Sequence, residues 1–155
     1  LTNQPSLEWH LENLRSYVTA DNAFPQASEW GRAKLAPYGV GAGMRGIPGD
    51  CYSPSRFVKV AYLNAHYPAK DSEVDNVVRM FRTLEGVAMV EGAAAMADGS
   101  FEKTLYTSCF SARTGRYYYS TYDDPAVRWV SLADAEGAEP RQLVCPEPRL
   151  DWRDV

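Results

Sequence analysis

The chain has 155 residues, of which 45% are apolar and 23% charged, enough for one domain with its own core and too balanced for a disordered segment. A formal net charge of −4 without a lysine or arginine cluster argues against nucleic acid or an anionic membrane as partner, and no window is apolar for long enough to span a bilayer. Cys51, Cys109 and Cys145 are widely spaced, form no Cys-x-x-Cys and share the chain with only two histidines, a pattern that fits a reduced, cytoplasmic protein with no metal and no cofactor.

The chain opens on Leu1-Thr2-Asn3-Gln4-Pro5 without a methionine, as though a strand had been entered halfway, which suggests a fragment or a processed piece. Residues 1–3 read as a strand end that Pro5 breaks. Ser6 caps a helix with Glu8 in its first turn and Leu7, Leu11, Leu14 and Val18 on one face, running to about Val18. Residues 21–37 have no clear period and are expected to form a loop with a short helical turn around Trp30.

A glycine-rich stretch follows, Gly39-Val40-Gly41-Ala42-Gly43, leading into Gly46-Ile47-Pro48-Gly49-Asp50. It is not a phosphate cradle, because no Gly-Lys-Ser/Thr follows and the run does not open directly into a helix. A surface loop whose glycines only provide turns is the simpler reading of the residues alone. Ser53 suits an N-cap and Pro54 the first helical position, and Phe57, Val58, Ala61 and Tyr62 repeat at helical spacing to about Ala65, before Pro68. Arg56 is thereby delivered near the first turn of a rigid element.

Ser72-x-x-Asp75 resembles a capping box, and Val74, Val77, Val78, Phe81 and Leu84 form a third amphipathic helix. After a soft Ala/Gly linker over 92–99 the period changes to two. Strands are expected over 101–110, 116–122 and 127–132, with turns at Arg113-Thr114-Gly115 and Asp123-Asp124-Pro125. Residues 133–155 read as an extended C-terminal tail. Helices first and a meander last imply an α+β domain with helices on one face of an antiparallel sheet. Both faces of the strands are rich in apolar or aromatic residues, so the second face calls for a cover from chain that is not here.

Taken together, Leu1-Thr2-Asn3-Gln4-Pro5, Glu8-Trp9-His10-x-x-Asn13-Leu14-Arg15-x-Tyr17, Pro37-Tyr38-Gly39-x-Gly41-x-Gly43, Gly46-Ile47-Pro48-Gly49-Asp50, Ser55-Arg56-Phe57-Val58 and Tyr106-Thr107-Ser108 resemble the choloylglycine hydrolase family. That family comprises bile salt hydrolases and penicillin V acylases. The resemblance runs in order from Leu1 to about Leu132. It implies the αββα sandwich of N-terminal-nucleophile hydrolases, of which residues 1–155 would be a single partial domain, the C-terminal half. It also implies a small-molecule amide substrate, either a bile acid conjugated to glycine or taurine or penicillin V, and a homo-oligomer when full length.

In the family an N-terminal cysteine is the nucleophile and its own α-amino group the base. The resemblance carries two catalytic positions into this chain: Asn3, as a contributor to the oxyanion hole, and Arg56, beside the nucleophile. The nucleophile, the aspartate and arginine close behind it and the second oxyanion contributor belong to the family's N-terminal half, so the chain alone is expected to be inert. Cys51 is internal and does not substitute for an N-terminal nucleophile. From the residues alone, Asn3 is more simply a cap on the turn at Pro5, and Arg56 suits a solvated residue at a helix start, although a cation is mildly unfavourable at that end. His10 and His66 read as surface or core-edge helix histidines. Tyr117, Tyr118 and Tyr119 read as core packing on a two-sided strand rather than a stacking platform.

Overall fold

Ser6 starts the first helix as its residue type predicts: its Oγ accepts the Trp9 N–H at 3.3 Å. The computed structural model describes residues 4–135, which divide into two compact units, the first ending at Pro68 and the second beginning at Ala69. In the first unit, α1 (Leu7–Asn13) tightens into a 3-10 turn over Leu14–Tyr17, so the α-helix proper ends one turn earlier than its apolar spacing suggests. The stripe expected to face inward is also turned out. Leu7, Leu11 and Val18 are exposed, and the residue that α1 buries is His10, whose ring stacks on Phe57 with centroids 4.3 Å apart. A histidine expected at the surface or the core edge is therefore part of the core.

The stretch expected to carry a helical turn at Trp30 is instead a hairpin of β1 (Ser28–Trp30) and β2 (Ala33–Leu35), with Trp30 opposite Ala33. Gly31, at φ +60°, occupies the left-handed region that a tight two-residue hairpin turn requires and a helical turn does not. Another 3-10 turn, Ala42–Met44, interrupts the glycine-rich stretch. α2 (Ser53–His66) then supplies the buried Val58 and Val60, and ends where Tyr67 turns extended ahead of Pro68.

In the second unit, α3 (Glu73–Glu85) begins as its capping pattern predicts, with Ser72 Oγ accepting the Asp75 N–H at 3.0 Å. Val77 and Phe81 are buried, together with Val87 and Met89 just beyond the helix. The sheet is an antiparallel meander in the order β3 (Tyr106–Ser111), β4 (Arg116–Thr121), β5 (Arg128–Ser131), followed by the short α4 (Leu132–Ala135). Residues 101–105 do not extend β3, although they alternate. The Thr104 N–H donates to Met89 O and the Met89 N–H to Thr104 Oγ1, and Glu102 bonds back to Ala94, so this segment pairs with the supposed soft linker and folds it.

The register sets the faces of the sheet. Cys109, Tyr118 and Trp129 share one face, and Tyr118 donates its hydroxyl to Glu73 of α3 at 3.0 Å, so this side meets the helix. Tyr106, Phe110, Tyr117, Tyr119 and Val130 line the opposite face, where Tyr106 and Phe110 are more than half exposed. Of the three expected helices, α3 is the one in the sheet's own unit. The remainder of the expected tail, 136–155, lies outside the described residues.

Candidate active site

The head of α2 is built by side chains that grip backbone. Gly43 lies against Asp21: the Asp21 N–H donates to Gly43 O at 3.2 Å, and a Cβ on Gly43 would stand 2.4 Å from both Asp21 O and Asp21 Oδ1. This is the one position of the glycine-rich stretch where close approach, rather than a turn, demands glycine. The same Asp21 carbonyl accepts the Tyr62 hydroxyl at 2.6 Å, which ties the loop to the middle of α2.

The Pro48-Gly49-Asp50 turn then delivers a carboxylate to the helix start. Asp50 Oδ1 accepts the Tyr52 N–H and Oδ2 the Ser55 hydroxyl, each at 2.9 Å. These bonds, the Ser55 hydroxyl foremost, hold its carboxyl below the ordinary aspartate value. Asp50 thus fastens the chain entering the helix, while no side chain performs the capping task that sequence logic gives to Ser53. Tyr52 stands at the N-cap position without a side-chain bond, and Pro54 occupies the first turn, where its missing N–H costs nothing.

Ser53 is left with a different partner. Its hydroxyl donates to the carbonyl of Gln4 at 2.6 Å, across 49 residues of sequence. Gln4 is the residue that follows Asn3. Asn3 itself lies outside the described residues, so of the two candidate site residues the structure describes Arg56 alone.

Arg56 is half-buried in the first turn of α2, its N–H bonded to Tyr52 O at 2.9 Å. Its guanidinium Nε is buried and has no hydrogen-bond partner among the described residues. A buried donor left unmet costs about 1–3 kcal/mol, so this N–H is energetically ready for an acceptor or an anion. A positive group of that kind suits the stabilisation of a thiolate or a developing oxyanion.

The other titratable candidates point elsewhere. Burial pushes the Cys109 thiol up, away from the thiolate that a nucleophile needs. His66 is engaged locally, with Nδ1 2.9 Å from Tyr62 O and its ring against Tyr62. Glu73 binds the Thr114 and Tyr118 hydroxyls and fastens α3 to the hairpin between β3 and β4. Among the described residues no group of three His, Cys, Asp or Glu side chains is placed to hold a metal ion, and no helix is long and apolar enough to cross a membrane. Sequence reasoning missed Asp50, Asp21 and Tyr62. Only Asp50 carried a local signal, an aspartate in a Pro-Gly-Asp turn just before a helix.

Comparison with known proteins gives this geometry a context. The pattern of the linear amide C–N hydrolases, choloylglycine hydrolase family, matches residues 1–143. Over 134 residues the chain is 54% identical to a bile salt hydrolase/transferase of Bifidobacterium longum and 43% identical to a conjugated bile acid hydrolase of Lactobacillus gasseri, in each case over 86% of this chain and 42% of the relative. A crystal structure of a mutant conjugated bile acid hydrolase from Clostridium perfringens superposes with a TM-score of 0.76 at 32% identity, covering 86% of this chain and 41% of that one. A penicillin V acylase from Agrobacterium tumefaciens shares the fold, with a TM-score of 0.61 at 15% identity over 86% of this chain and 35% of that one. The chain spans about two-fifths of the length of the curated relatives it matches.

Proposed function

The chain belongs to the choloylglycine hydrolase family of linear amide C–N hydrolases, and from that membership we propose that the protein it forms part of hydrolyses the amide bond between a bile acid and glycine or taurine. Its portion of the αββα sandwich supplies two of the catalytic groups, Asn3 and Arg56. The nucleophile is an N-terminal cysteine contributed by chain outside these residues, since Cys51, Cys109 and Cys145 are all internal. The 155-residue chain by itself is then inert.

In this reading the cysteine sulfur attacks the amide carbon and the carbonyl becomes a tetrahedral oxyanion. The Asn3 side-chain amide donates to that oxyanion, an interaction whose loss in comparable sites costs about 3 kcal/mol of barrier. The free α-amino group takes the thiol proton and passes it to the departing nitrogen of glycine or taurine. A thioester remains, and water then cleaves it to release the bile acid and restore the thiol. Arg56 lies beside the sulfur and favours the thiolate.

The observation that carries this reading is the buried Nε of Arg56, without a partner among the described residues, at the head of a helix fastened to the residue after Asn3. The bile-acid branch is favoured over penicillin V because the relatives named as bile salt and conjugated bile acid hydrolases are the highly identical ones. A soluble, cytoplasmic homo-oligomer is the form in which we expect the whole protein to act.

The test is hydrolysis of taurocholate, glycocholate and penicillin V by the full-length protein, beside Arg56→Ala. Bile-salt turnover reduced about 100- to 1000-fold by the substitution, with the protein still folded, is the expected result. Turnover of penicillin V alone moves the protein to the acylase branch. A folded full-length protein that hydrolyses none of the three sinks the assignment.

A further inference from the structure

We infer that Ser53 is a positioning residue of this site: its hydroxyl latches the Asn3 segment to the head of the helix that carries Arg56. The inference rests on the assignment of Asn3 and Arg56 proposed above. A serine at the first residue of a helix after an extended residue ordinarily accepts a bond from the helix's own first N–H groups. Here no side chain caps those groups, and the helix start is held from outside by Asp50, which accepts the N–H of Tyr52 at the N-cap position and the Ser55 hydroxyl. Ser53 donates outward instead, to Gln4 O at 2.6 Å.

The placement of that bond is what gives it meaning. At one end is a carbonyl one residue beyond Asn3; at the other is a side chain three residues before Arg56, within one helical turn of it. Two groups that must act on the same tetrahedral centre are thus joined by one side-chain bond between stretches 49 residues apart in sequence. Asp50 fixes the helix start independently, so the Ser53 bond is free to serve registration rather than helix formation. Catalytic groups displaced by as little as about 1 Å lose on the order of 100-fold in rate, so a latch of this kind acts on kcat.

The test compares Ser53→Val with Ser53→Thr in the full-length protein. Both side chains are branched at Cβ and similar in volume, and only threonine keeps the hydroxyl. We expect Ser53→Val to lower kcat for the preferred conjugate by about 10- to 100-fold with KM nearly unchanged, and Ser53→Thr to recover most of the loss. Equal kcat in the two variants overturns the inference, as does a loss carried by KM alone. If the wild-type protein hydrolyses none of the three substrates, the functional assignment fails but the latch is still read by hydrogen exchange. Faster exchange over residues 6–13 in Ser53→Val than in Ser53→Thr supports it, and identical exchange overturns it.

Discussion

The two units of this molecule are held together in different ways. In the second, three strands pair residue for residue, Tyr106 with Thr121 through to Ser111 with Arg116 and then Tyr117 with Val130, and α3 lays Val77 and Phe81 into the interior. Backbone ladders and apolar burial carry that unit, and long-range side-chain bonds, Glu73 to the β3–β4 hairpin, Thr104 to Met89 and Tyr122 to Glu91, add to them. Among the described residues of the first unit the one sheet is a hairpin of two three-residue strands, and the candidate site depends on side chains holding main-chain atoms: Tyr62 on Asp21, Asp50 on Tyr52, Ser53 on Gln4. A fold carried by repetition spreads its stability over many equivalent contacts. A site carried by single latches concentrates its geometry in a few atoms, so substitutions in the two units should divide between stability and rate.

The largest stability effect belongs to the second unit. Phe81 is 5% exposed, and Phe81→Ala should cost about 3–5 kcal/mol through lost burial and the cavity left behind. Thermal or denaturant unfolding of the full-length protein measures it, and the kcat of whatever remains folded should be close to wild type. A kcat that falls in parallel would break the division between the units.

Gly43→Ala is the corresponding blow to the first unit. The added Cβ meets backbone and carboxylate oxygen of Asp21 at 2.4 Å, so the loop or the Asp21 segment has to move, at about 1–3 kcal/mol. Gly49 is the control, because a Cβ there meets nothing within 4 Å and its φ is not in the left-handed region. Gly43→Ala should lower both melting temperature and turnover while Gly49→Ala leaves the melting temperature nearly unchanged. Equal effects would mean that Asp21 yields readily and that the loop is not clamped.

How legible all this was in the sequence divides along the same line. The cap at Ser72, the helical spacing from Val74 to Leu84 and the turn at Gly115 are local signals that local structure obeys. The strands β1 and β2 escaped because three exposed residues each show no alternation, and only Gly31 hinted at a hairpin. Residues 101–105 alternated convincingly yet pair with 89–96, since periodicity names a face and not a partner. His10 was misjudged because its burial depends on Phe57, 47 positions away (57 − 10), which no spacing rule reaches. Ser53 shows the same limit at the site: its short-range signature reads as a cap, and its actual bond is to Gln4. Asn3 and Arg56 stood out through family resemblance, whereas Asp21 and Tyr62 had no signal at all, being a backbone carbonyl and a hydroxyl that meet only in the fold.

The smallest effect sharpens the comparison furthest, because one matched chemical change can be made in each unit. Asp50 and Glu73 are carboxylates held below their ordinary values by hydrogen bonds, Asp50 chiefly by the Ser55 hydroxyl and Glu73 chiefly by the Thr114 hydroxyl. With the folded value depressed, the unfolded chain binds the proton at higher pH, so each bond's stabilisation is complete above the ordinary carboxylate range. It is lost as pH falls through the lowered folded value. Asp50→Asn and Glu73→Gln should therefore each flatten the acid limb of stability, followed as melting temperature between about pH 3 and pH 7. Their consequences for rate should differ. Glu73 fastens α3 to the β3–β4 hairpin, and its substitution should leave kcat alone. Asp50 anchors the helix start from which both Ser53 and Arg56 project, so Asp50→Asn should lower kcat even near neutral pH, where the loss of stability is too small to unfold the protein. An Asp50→Asn enzyme with full kcat would show that the head of α2 keeps its geometry without that carboxylate, and the first unit would then share the redundancy of the second.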